Sequence, residues 1–222
     1  MQASKNEIFV ELPEVDFRYL TVKLVGETPL VTCPFPIKQM QKIEDKEMGK
    51  AKTQKHEIRN PMEDFIYALY WLTPPPIEYT EEAFLTAVNN GARFGIHVGA
   101  IKNSAMMAAY RRGLVKNLVT ARGMFQITET EQDWFYDKSC IEIITNEPPK
   151  MRKDCLSTFS SGADMRYRPQ FNNWALEFTI KYDSAMVSPE QMLMWYRLGG
   201  FACGLGENRA EKGEGWGSYV LG

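Results

Sequence analysis

From Phe17 to Val25 the chain alternates, with Leu20, Val22 and Leu24 on one face and Tyr19, Thr21, Lys23 and Val25 on the other. Period two of this kind predicts a half-buried strand. The pattern then breaks. Gln39 to Asn60 is almost wholly polar, and Lys38, Lys42, Lys46 and Lys50 recur every fourth residue. Too few apolar positions remain to seat such a helix on a core, so residues 37–60 read as a charged, solvated arm or a thumb-like insertion. Helical spacing returns over Pro61 to Leu72 through Met62, Phe65, Ile66, Ala68, Leu69 and Leu72, behind a proline suited to a first turn. A second helix over Glu81 to Asn89 completes a helical insertion at 61–92.

Phe94 to Val98 is a short, glycine-containing lead-in to a long helix that runs to Arg112 and is rich enough in alanine to lie close against a sheet. Arg122 to Thr128 and Cys140 to Thr145 read as strands. Residues 148–169 gather Lys150, Arg152, Lys153, Arg166 and Arg168 in a basic loop or hairpin, and loops of that length usually serve a function. Trp174 to Ile180 alternates cleanly, with Trp174, Leu176, Phe178 and Ile180 inward. Ser188-Pro189-Glu190-Gln191 is a capping box that opens the last helix, with Met192, Trp195 and Leu198 toward the core and Gly199-Gly200 as its stop. Trp216 to Leu221 forms a terminal strand. The order predicts an α+β fold in one domain, 1–222: a ferredoxin-like (RRM-like) β-α-β-β-α-β core, two helices on an antiparallel sheet, with large insertions.

Composition narrows the chemistry. At 44% hydrophobic and 24% charged residues the 222-residue chain is that of an ordinary globular protein. A formal charge of -2 gives no global nucleic-acid footprint, so any such binding must use a local patch. The 4 cysteines are scattered without a C-x-x-C pair, and His56 and His97 are the 2 histidines. No metal and no cofactor are therefore expected. No apolar run reaches the roughly 18 residues of a membrane span, and the N-terminus is acidic where a signal peptide is basic. A cytoplasmic protein with no membrane partner is expected.

The segment Gly204-Leu205-Gly206-Glu207-Asn208-Arg209 to Gly213-Glu214-Gly215-Trp216-Gly217 is dense in glycine. It is no P-loop, because Lys212 precedes Gly213 and the segment follows a helix, and no dinucleotide fingerprint, because Arg209 stands where the third glycine belongs. Gly204, Gly206, Gly213, Gly215 and Gly217 suit a loop whose backbone touches something directly. Placed between the second helix and the last strand, the segment resembles the C-terminal glycine-rich loop of the repeat-associated mysterious proteins (RAMPs), RNA-binding subunits of CRISPR effector complexes. Ile96 to Met106 is similar to that family's glycine, small-residue and lysine entry into the first helix. Most of the chain, especially Ala163 to Arg168, Met186 to Gln191 and the glycine segment, also resembles a group of proteins encoded by bacteriophages and prophages, a likeness that brings no established chemistry.

The RAMP resemblance implies a non-catalytic protein of the bacterial host cytoplasm that binds single-stranded RNA or DNA and assembles as a homo-oligomer along it. The grip would be Lys102, Arg111, Arg112, Lys150, Arg152, Arg166, Arg168, Arg209 and Lys212, with bases stacked on Tyr167, Tyr110 or Trp216 and binding that weakens steeply with salt. Arg166 and Arg168 share a face if extended. Two alternatives stay open. One is a protein-interaction module that mimics or blocks a host CRISPR subunit through the charged arm, and so binds a host or phage protein. The other is a metal-independent ribonuclease relying on His97. Asp154 and Asp164 are read as turn caps rather than metal ligands.

Overall fold

The computed structural model describes residues 14–49, 58–158 and 162–222. In chain order the elements are β1 (Phe17–Gly26), β2 (Leu30–Val31), α1 (Ile37–Glu47), α2 (Pro61–Tyr67), β3 (Tyr70–Trp71), α3 (Glu81–Asn89), β4 (Phe94–His97), α4 (Val98–Arg111) and α5 (Leu118–Met124). They continue with β5 (Phe125–Thr128), β6 (Glu131–Gln132), β7 (Ser139–Glu142), β8 (Lys150–Thr158), β9 (Gly162–Phe171), β10 (Ala175–Asp183), α6 (Pro189–Ala202), a 3-10 turn at Ala210–Lys212 and β11 (Tyr219–Leu221). The fold is α+β with antiparallel sheets, as the sequence pattern predicts.

Three sheets carry it. The first has the order β11-β1-β10-β5, and each neighbouring pair runs antiparallel. Leu24, Leu176 and Ile180, the inward positions of the two alternating stretches, are fully buried. Helices α4 and α6 pack against that sheet: Tyr196 meets Phe125 and Phe178 ring to ring, and the Tyr219 and Ser104 hydroxyls are hydrogen bonded at 2.9 Å. The second sheet, β2-β9-β8, is dominated by the β8/β9 hairpin, and the third has the order β3-β4-β7-β6.

Four local expectations are corrected by long-range contacts. The helix expected over Pro61 to Leu72 stops at Tyr67, because Tyr70 and Trp71 pair with Gly95 and Phe94 and the Trp71 indole donates to the Ile66 carbonyl at 2.9 Å. Arg122 lies in helix α5 rather than in a strand: Asn117 caps its start by accepting from the Val119 N–H at 2.7 Å. Gly199-Gly200 do not stop α6, which runs on to Ala202. They mark where it is crossed, since a Cβ on Gly200 would lie 1.9 Å from the Tyr219 carbonyl oxygen. The terminal strand begins at Tyr219, and Trp216 instead bridges to Arg209.

The charged arm begins as helix α1, none of whose residues is buried. Residues 50–57, with Lys50 and His56, lie outside the described residues. The basic stretch at 148–169 is a hairpin. No helix among the described residues is long and apolar enough to cross a membrane.

Candidate functional site

Alternation along the hairpin puts Arg152, Asp154, Asp164, Arg166 and Arg168 on one face, and the register sets Arg152 opposite Arg168 and Asp154 opposite Arg166. Like charges directly opposed destabilise a sheet. Asp154 removes the conflict by accepting from Arg152 Nε at 2.6 Å with one oxygen and from Arg168 Nη2 at 2.7 Å with the other. The Arg168 side chain is only 4% exposed and also reaches Asn208 Oδ1 at 3.5 Å and Glu207 at 3.9 Å in the glycine segment. It pins that segment to the hairpin. The Arg152 guanidinium stands over the Trp216 ring, 4.1 Å from its centroid, and makes a second link between the same two parts.

Next to this lattice is a cleft of about 320 Å³ between the hairpin, α1 and the start of α2. Arg166, Tyr167 and Arg168 enter it from β9, Lys38 and Lys42 from α1, and Arg59 from the residue ahead of the Asn60 cap. These five cations meet three carboxylates in the lining, Glu63, Asp64 and Asp164. Lys38 bonds Glu63 at 2.6 Å, Arg59 bonds Asp64 and Asp164, and Arg166 bonds Asp164 at 2.6 Å. Burial raises the Asp164 carboxyl, but the bonds from Arg59 and Arg166 outweigh it and hold the group below its ordinary range. The Arg59 guanidinium stands 5.5 Å from the centre of the Tyr167 ring. The sequence reading missed Arg59, although its place beside a helix cap and a proline was visible.

The glycine segment is folded in, and what its backbone touches is this chain. Leu205 N–H donates to Gly217 O at 2.9 Å, Glu207 N–H to Val31 O at 2.8 Å and Gly217 N–H to Pro29 O at 2.8 Å. Gly206 and Gly217, at φ 72 and 66, sit so close that a Cβ would fall 2.2 Å from Val31 O and 1.9 Å from Leu205 O. Gly204 is less tight, its Cβ falling 2.9 Å from Trp216 O, whereas Gly213 and Gly215 face open space. The cations here are neutralised by the segment's own acids. Arg209 donates to Glu211 at 3.0 Å and to Gly206 O at 2.9 Å, Lys212 to Glu207 at 3.0 Å, and Arg111 to Glu211 at 2.5 Å.

The remaining expected residues scatter. Lys102 turns inward, where its ammonium donates to the carbonyls of Arg122 and Phe125 and closes the end of α5; burial lowers its pKa. Arg112 is exposed at the C-cap of α4, Tyr110 is exposed in its last turn, and Lys150 is held by Glu147 at 3.3 Å. His97 ends β4 with its ring over Gly99, whose Cβ would stand 2.6 Å from the ring, and it lines a second cavity of about 440 Å³ with Gly204 and Gly206. Burial, and secondly the Lys138 charge, push the imidazole down in pKa and keep it neutral near pH 7. The expected cationic surface is thus one cleft plus a set of internal ion pairs. No group of acids, histidines and cysteines suited to a metal occurs among the described residues.

The class defined so far is an α+β protein of antiparallel sheets with a cationic cleft beside a folded glycine loop. Among solved structures it is similar to the crystal structure of Cmr6 from Pyrococcus furiosus, with 10% identity over 94% of this chain and 100% of that one and a TM-score of 0.39. A likeness that low establishes neither a shared fold nor a shared function. No protein-family model and no curated protein matches the chain.

Proposed function

We propose that this is a RAMP-like, non-catalytic protein that binds single-stranded nucleic acid. The observation that carries the reading is the convergence of Arg59, Arg166, Lys42 and Tyr167 on one cleft with more cations than carboxylates. Cationic side chains beside an aromatic ring are what a single strand requires, charge for the phosphates and a face for a base. The β11-β1-β10-β5 order, with α4 linking β1 to β5 and α6 linking β10 to β11, supports reading the first sheet and these helices as the ferredoxin-like core. The insertions of that core, the arm and the hairpin, supply the two walls of the cleft.

Fluorescence anisotropy with labelled single-stranded RNA and DNA at low salt is the test. Binding is expected, with a loss of about tenfold in the double variant Lys42→Gln, Arg166→Gln and no shortening of the oligonucleotide on incubation. Absence of binding to either polymer at low salt overturns the reading. Arg168 is unsuitable for this test because it is buried in the fold.

A second reading, a protein-docking module, is favoured by α1, which exposes Met40 and Ile43 at 43% and 49% on neighbouring turns. If the arm docks a protein, Met40→Asp with Ile43→Asp abolishes association in size-exclusion light scattering and leaves nucleic-acid affinity unchanged. Equal association in this variant removes that reading.

A further inference from the structure

The second cavity differs from the cationic cleft in its chemistry. Ala100, Asn103, Ser104 and Met107 fall three and four residues apart on α4 and give it one stripe of that helix. Across from them runs the Gly204 to Glu207 backbone, and Tyr70, Ile96 and His97 join the lining. At about 440 Å³ it lies within the roughly 300–1,000 Å³ of sites that take small organic molecules.

Its acids are already matched: Glu207 by Lys212, and Glu211 by Arg209 and Arg111, while Arg209 also donates to the Gly206 carbonyl. That leaves Arg122 at the border as the one lining cation without a carboxylate among the described residues. What the cavity offers is neutral hydrogen-bonding chemistry between apolar walls. Ser104 is engaged with Tyr219, but the Asn103 carboxamide makes no hydrogen bond among the described residues and presents a donor beside an acceptor. Neutral His97 adds a second donor and acceptor pair. Met107, Ile96 and Ala100 are apolar, and the Tyr70 ring adds an aromatic surface.

A flat, uncharged ring with donors and acceptors on its edge fits this set, and a nucleobase is such a ring. Position agrees. Cys33 lines both this cavity and the cationic cleft, so the two lie on either side of one short segment of chain. Arg122, without a carboxylate partner among the described residues, also borders the cavity and is available to the phosphate of the same nucleotide.

The geometry points to this cavity as the pocket for one unstacked base of the strand held in the neighbouring cleft, an inference that rests on the nucleic-acid reading above. Asn103 is its specificity residue, and Gly99, by lacking a Cβ, leaves room for the His97 ring.

The test compares homopolymers of each base with an abasic oligomer of equal length, on the wild-type protein, Asn103→Leu and Met107→Trp. Asn103 is exposed on a helix, where leucine is well tolerated, and circular dichroism checks the fold of both variants. At least one base is expected to bind roughly tenfold or more tighter than the abasic oligomer, with that advantage lost in both variants and abasic affinity unchanged. If the advantage survives both substitutions, the base stacks elsewhere and the pocket is wrong, while the cleft stands. If abasic and base-bearing oligomers bind equally well, the pocket is likewise overturned. If nothing binds, the nucleic-acid reading itself fails.

Discussion

Asp154 shows how far a single carboxylate decides what the neighbouring arginines can do. It is 10% exposed, Arg168 is 4% exposed, and Arg152 lies across the strand from Arg168. Removing its charge leaves two arginines facing each other, one of them buried. Asp154→Asn is therefore expected to lower unfolding free energy by about 3–5 kcal/mol in urea denaturation, the cost of an uncompensated buried charge. Arg166→Gln, at a partly exposed site, should cost about 1 kcal/mol or less. A small loss in Asp154→Asn would mean that Arg168 is not held as described. Glu211 gives the matching statement for pH. Burial raises its carboxyl, yet the bonds from Arg209 and Arg111 prevail and set it below the ordinary value. The unfolded chain then binds the proton more readily than the folded one. Its contribution is complete above the usual glutamate range, about pH 4.3, and is lost as pH falls through the depressed folded value. Urea midpoints measured from neutral to acid pH should fall less steeply in Glu211→Gln than in the native protein, and identical slopes would remove the Arg209–Glu211–Arg111 link.

Helix α6 crosses β11 and α4 through Gly199 and Gly200, and the crossing leaves no room for a methyl group at either. Gly200→Ala should cost about 1–3 kcal/mol or more despite alanine's better helix propensity, whereas Gly215→Ala, which meets open space, should leave the thermal midpoint unchanged. Equal midpoints for the two variants would refute the close crossing. The same contrast explains what could be read from the sequence. Strands β1 and β10 announce themselves by alternation and α6 by its capping box, because these signals are local. Tyr70 and Trp71 continue a helical spacing, and only pairing with β4 draws them into a strand. Gly199-Gly200 look like a stop because sequence cannot show the strand that crosses them. In the candidate site, the basic cluster at 148–169 was visible, and so was Tyr167. Its neutralisation was partly visible too, since Asp154 and Asp164 stand two residues from Arg152 and Arg166 and so share their face. The bond from Arg168 to Asp154, by contrast, depends on the hairpin register, and the place of Arg59 depends on the meeting of α2 with β9.

Across the protein as one body, ion pairing sets how nucleic-acid affinity must respond to salt. Of the nine cations assigned to the grip from sequence, Arg111, Lys150, Arg152, Arg166, Arg168, Arg209 and Lys212 each hold a carboxylate, and Lys102 holds two carbonyls. A cation already matched by an acid on its own chain displaces few counterions when a phosphate arrives. The release is then set by the charge of the cleft that no acid matches, five cations against the three carboxylates of the lining and Asp154, which holds Arg168, rather than by the number of arginines nearby. For a single strand the logarithm of affinity falls with the logarithm of salt at about -0.7 per neutralised phosphate, so one or two phosphates correspond to a slope of about -1. Nine independent contacts would give a slope of about -6. Anisotropy titrations between low and moderate salt separate these values directly, and the slope should move toward zero in Lys42→Gln with Arg166→Gln. A slope near -6 would mean that the internal pairs open on binding, with Asp154, Asp164 and Glu211 surrendering their arginines to the strand. That outcome would turn the hairpin and glycine segment from a fixed wall into a moving one.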